Sequence, residues 1–137
     1  MPFVKIHILE GRYDDARLDR MSNAIQQALR AELGMAPDEL FHIIHLLQPA
    51  QFRHTRSFLG LNYSEDLIWL ELTLIAGRVA KEKRLALLKA LNDGVVDAAQ
   101  ISPDDLVITF FETAAENISF GRGIAQRADN SKPHSTS

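Results

Sequence analysis

Residues 2–12 read PFVKIHILEGR, and residues 68–78 read IWLELTLIAGR. Both alternate apolar and polar residues, and both end on Gly-Arg. Ile6 and Ile8 alternate with Lys5 and His7 in the first stretch. Leu70, Leu72 and Leu74 alternate with Glu71 and Thr73 in the second. A period of two sends successive side chains to opposite faces of a strand. Shifting the chain by 66 residues lays Gly11-Arg12 on Gly77-Arg78. The same shift, without a gap, lays Pro37-Asp38-Glu39-Leu40 on Pro103-Asp104-Asp105-Leu106. Two anchors at one offset mark an internal duplication, which has to be recognised before a fold is assigned.

Between the anchors the period changes to that of a helix. Leu18, Met21, Ile25, Leu29 and Leu33 form one stripe, which Gly34 is expected to end. In the second copy Arg84 stands at the place of Leu18, and Leu87, Leu91, Val95 and Ala99 continue the stripe. A Pro-Asp turn then leads to apolar strands, 41–47 and 106–112, whose two apolar faces suit buried parallel pairing. Each half, about 2–48 and 66–113, therefore reads β-α-β with the helix as crossover. Together they predict an α/β (α+β) fold: one domain over 1–127, with a four-stranded sheet and two helices on one face. The opposite sheet face is too apolar for water and is expected to pack against other subunits. The linker 48–65, with Pro49, Gly60 and Asn62, is expected to be irregular, and the polar tail 128–137 disordered.

The 137 residues, 46% hydrophobic and 24% charged, suit one soluble domain. A net charge of −3 without a basic run argues against a nucleic-acid partner. The chain has no cysteine, which excludes disulfides and thiolate catalysis. No apolar run reaches the roughly 18 residues of a membrane span. Lys5, His7 and Glu10 interrupt any leader core, so the expected location is cytoplasmic.

Pro2 has no counterpart in the second copy, where Ile68 lies within the chain. Initiator methionine is normally removed before a residue as small as proline. The exposed nitrogen would then be a rigid secondary amine. Beside arginines and apolar walls its pKa would fall, by desolvation and by like charge, into the range of a general base. The alternative is a proline that merely starts an edge strand. Arg12 and Arg78 end equivalent strands just before helices, where carboxylates are readily gripped, or they are solvated turn residues. Glu39, next to Asp38, can position a substrate or hold the prolyl ammonium; the repeat of Pro-Asp-Glu/Asp equally suits turn chemistry. Phe120 lines a pocket or packs in the core. His42 and His45, three apart on a strand, face opposite ways, and no metal site is expected. Arg53, His54 and Arg56 form a small basic loop cluster, read as solvated.

The opening PFVKIHILEGR resembles the start of 4-oxalocrotonate tautomerase. The stretches ISPDDLVITFFE (101–112) and SFGRG (119–123) resemble the malonate semialdehyde decarboxylase subgroup of the tautomerase superfamily. Members of this chain length are fused doubles of a short β-α-β unit. The resemblance implies a catalytic Pro2, carboxylate binding by Arg78 and Arg12, and Glu39 at the position of an aspartate. Arg78 stands alone, between Gly77 and Val79, where those decarboxylases carry an arginine pair, and Ile118 replaces an aromatic residue. The implied protein is a homotrimer without cofactor. It would tautomerise a small 2-oxo acid or related carboxylate between keto and enol forms. Decarboxylation or hydration by a cationic Pro2 is the alternative on the same framework, and a non-enzymatic ferredoxin-like binding module is the rival class.

Overall fold

The computed structural model describes residues 2–128. The first half gives β1 (Phe3–Leu9), α1 (Asp15–Leu33) and β2 (His42–Leu47). A short hairpin follows, β3 (Ser57–Phe58) and β4 (Leu61–Asn62). The second half gives β5 (Ile68–Ile75), α2 (Lys81–Ala99) and β6 (Leu106–Thr113). The main sheet has the order β2-β1-β5-β6. Strands β1 and β2 are parallel, as are β5 and β6, and the two halves meet through antiparallel β1 and β5. The duplication thus folds as two β-α-β units joined head to tail at the sheet centre.

The alternation read from the sequence selects the buried face. Val4, Ile6 and Ile8 of β1, and Ile68, Leu70 and Leu72 of β5, are buried in one cluster with Met21, Ile25 and Leu29 of α1 and Leu87, Leu91, Val95 and Ala99 of α2. Both helices therefore cover the same sheet face. Helix α1 starts at Asp14, whose carboxylate accepts from the Arg17 amide at 2.8 Å. It ends at Gly34, left-handed at φ 68°, where L side chains are disfavoured. Helix α2 has no side-chain N-cap and ends at Gln100.

The other sheet face carries Ile43 and Phe111, each more than half exposed. His45 lies on this face, with its Nδ1 3.0 Å from Nδ1 of His7, and Nε2 of His7 lies 3.3 Å from Glu71 Oε1. His42 points the other way, under α1, with its Nδ1 2.6 Å from Ser22 Oγ. The two strand histidines diverge as the alternation requires, and no group of three metal-ligating side chains occurs among the described residues.

The linker is more ordered than expected. Leu59 and Gly60 both adopt positive φ, 54° and 81°, which closes the β3–β4 hairpin with a two-residue turn. Asp104 and Asp105, at the second Pro-Asp anchor, hold it: Asp104 accepts from the Asn62 amide at 3.0 Å, and buried Asp105 accepts from the Ser64 amide and hydroxyl. The expected tail, apart from Ala128, lies outside the described residues.

Candidate active site

Antiparallel pairing decides which parts of the two copies meet. Phe3 stands opposite Thr73, so Pro2 comes beside the last residues of β5 and the turn that follows them. That turn needs Gly77 at φ 80°, and the Arg78 amide closes it on the Ile75 carbonyl at 3.2 Å. Pro2 is buried. It shares a cavity of about 350 Å³ with Arg78, Glu32 and Lys83. The remaining walls are apolar and include Leu33, Met35 and Val79. Among the described residues the exposed Arg78 guanidinium makes one hydrogen bond, Nη2 donating to the Arg127 carbonyl at 3.3 Å. It has no carboxylate partner among the described residues. The only ion pair of Lys83 there is a long one, 3.9 Å to Glu32.

Glu39 and Phe120 line a neighbouring cleft of about 310 Å³ with Phe41, Gln126 and Arg127. One Glu39 oxygen accepts from the Ala36 amide at 2.8 Å, which is turn chemistry, and the other lies 3.4 Å from Arg127 Nη2. Phe120 packs 5.5 Å from Phe3 and 5.9 Å from Phe41, ring centre to ring centre. Arg127 therefore joins cleft and cavity: its side chain pairs with Glu39 and its carbonyl accepts from Arg78.

Arg12 sits at the opposite end of the sheet. Equivalent ends of antiparallel strands point apart, so the two Gly-Arg turns do not converge within one chain. Arg12 Nε donates to Asp66 at 2.9 Å, and Glu65 lies 3.6 Å from Nη1. The hydrogen bond and charge of Asp66 hold the guanidinium still more firmly protonated. Next to it Tyr13 is buried and donates to the Asp66 carbonyl, and burial pushes its hydroxyl pKa up. Arg17 lies over the Tyr13 ring at 4.4 Å and donates to the Ala99 carbonyl at 2.6 Å. Arg53, His54 and Arg56 border a separate hollow near this end, with Leu9 and Glu65.

Of the residues singled out in the sequence, Pro2 and Arg78 line one cavity, Glu39 and Phe120 line the neighbouring cleft, and Arg12 lies at the opposite end of the sheet. Lys83, Glu32 and Arg127 were not singled out. Lys83 and Glu32 occupy helix positions outside the apolar stripes, and Arg127 lies beyond both repeats.

Residues 39–121 match the tautomerase enzyme family Tautomerase_2. The protein described as probable tautomerase YusQ of Bacillus subtilis (strain 168) is 28% identical over 126 residues, 92% of this chain and 98% of the relative. A malonate semialdehyde decarboxylase, described with decarboxylase and hydratase activities, superposes with a TM-score of 0.80 at 23% identity, over 93% of this chain and 97% of its own. A second malonate semialdehyde decarboxylase, inhibited by 3-bromopropiolate, gives 0.81 at 21% identity, over 96% and 98%. A fused 4-OT in a symmetric trimer gives 0.73 at 20% identity, over 93% and 98%. These structural likenesses concern the fold, and the sequence match supplies the family: the chain belongs to the tautomerase enzymes.

Proposed function

We propose that the chain is a cofactor-independent tautomerase that uses the Pro2 amine on a small 2-oxo acid. The observation that carries this reading is the single cavity holding Pro2 and an arginine that has no carboxylate partner among the described residues. Removal of Met1 would free the prolyl nitrogen. The cationic groups of the cavity and its apolar walls favour the neutral amine. Pro2 then takes the proton from the carbon next to the carbonyl, and the electron pair moves to the carbonyl oxygen as an enolate. Arg78 holds the carboxylate and the oxygen that gains charge. Protonation of that oxygen gives the enol, and the reverse sequence gives the keto acid. Glu39 serves through Arg127, whose carbonyl accepts from Arg78, and Phe120 forms an apolar wall beside Phe3.

The other end of the chain shows what such a turn does. Arg12, the repeat equivalent of Arg78, carries a carboxylate at 2.9 Å. Here the carboxylate is the chain's own Asp66, while the Arg78 turn presents its guanidinium to a cavity.

Decarboxylation of a 3-oxo acid is the second reading, supported by the resemblance of the SFGRG segment, whose Phe120 packs against Phe3. Pro2 would then stay cationic and polarise the carbonyl while the carboxylate leaves as carbon dioxide. The exposed apolar sheet face, with Ile43 and Phe111, suits burial in a homotrimer.

Treatment with 3-bromopropiolate followed by peptide mass mapping tests the site. A single adduct on the Pro2 nitrogen supports it; an adduct elsewhere, or retained Met1, overturns it. Phenylenolpyruvate and malonate semialdehyde as parallel substrates separate the two chemistries.

A further inference from the structure

We infer that Lys83 is a second carboxylate-binding residue of the Pro2 cavity, held in check by Glu32. This inference rests on the reading of that cavity as a 2-oxo acid site. Four observations converge on it. Lys83 lines the cavity with Pro2 and Arg78, although it lies five residues beyond Arg78, in the first turn of α2. Its side chain is half exposed, and Glu32 stands 3.9 Å from the ammonium, beyond hydrogen-bond reach. The amino end of α2 has no side-chain cap, so its first amides add positive potential on the same side.

The fourth observation is an internal control. The repeat equivalent of Lys83 is Arg17, just as that of Arg78 is Arg12. At that end both cations are consumed by the fold: Asp66 occupies Arg12, and Arg17 is spent on the Ala99 and Arg12 carbonyls and the Tyr13 ring. At the Pro2 end the corresponding pair faces a cavity, and among the described residues the only acidic group lining it is Glu32. A carboxylate entering there meets Arg78 first and draws the Lys83 ammonium from Glu32. Glu32 then competes with the ligand for Lys83 and repels it directly.

The two partners of this ion pair are therefore expected to act in opposite directions. A structural ion pair would make both replacements equivalent. The test is the Kd of the full-length protein for pyruvate, followed by amide chemical shifts, in the wild type and in Lys83→Gln, Lys83→Arg, Glu32→Gln and Arg78→Gln. Loss of one half-exposed charge-assisted contact predicts Kd raised about tenfold in Lys83→Gln. Lys83→Arg should restore binding, and Glu32→Gln should tighten it severalfold. If Arg78→Gln weakens binding and Lys83→Gln does not, the inference fails and the proposed function stands. Equal weakening by Lys83→Gln and Glu32→Gln also overturns it, as a merely structural pair. If the wild type shows no saturable shifts, or Arg78→Gln binds as the wild type does, both readings fail together.

Discussion

Replacing Arg78 by glutamine is expected to damage catalysis far more than folding. Among the described residues the exposed guanidinium contributes to the fold through one hydrogen bond, 3.3 Å long, to a backbone carbonyl. Long and open to water, that contact falls short of the usual charge-assisted bond and stabilises by about 0.5–1.5 kcal/mol. Arg78 lines the Pro2 cavity, where on the proposed function a substrate carboxylate would receive a charge-assisted, bidentate grip. Each hydrogen bond to a charged group is worth about 1.5–3 kcal/mol, and two at the lower end give about 3 kcal/mol. Converted to a rate ratio, that is a loss of kcat/KM on the order of 100-fold. The assay is ketonisation of phenylenolpyruvate, followed by ultraviolet absorbance, with urea unfolding of the same preparation. The expected result is a large fall in kcat/KM with an unfolding midpoint close to that of the wild type. A variant that keeps kcat/KM within about threefold while folding normally would refute the carboxylate-binding role.

Leu91→Ala removes a fully buried side chain from the α2 stripe where it meets the sheet and α1. Denaturant unfolding should show a loss of about 2–5 kcal/mol, and a loss under 1 kcal/mol would mean that this layer is not the core. His42 gives a pH dependence. Burial lowers its pKa below 6.5, so the unfolded chain binds the proton more readily than the folded one. Stability is therefore complete above pH 6.5 and falls as the pH drops below that value toward the folded pKa. His42→Gln should flatten this part of the stability profile, and an unchanged slope would assign the dependence to another group.

Much of the fold is legible in the sequence because the duplication states it twice. The alternation over Ile6 and Ile8, and over Leu70, Leu72 and Leu74, marks the buried face, and Gly34 marks the end of α1. The β3–β4 hairpin is not legible, because two-residue strands carry no period and their turn depends on a left-handed Leu59. The site is legible only in part for a geometric reason. Sequence places Arg12 and Arg78 at equivalent strand ends, which suggests a pair. The antiparallel meeting of β1 and β5 sends them to opposite ends and brings Arg78 to Pro2. The same crossing carries Lys83 and Glu32, from two different helices, into one cavity. Neither has a motif; only the packing of α1 beside α2 makes them neighbours.

The central claim is that Pro2 acts through its nitrogen beside Arg78. Its most direct test is the turnover of Pro2→Ala on phenylenolpyruvate, with Met1 removal verified by intact mass in both proteins. The account predicts a fall in kcat of at least about 100-fold, in the range that a positioned general base contributes. A Pro2→Ala protein that turns over at the wild-type rate would contradict it.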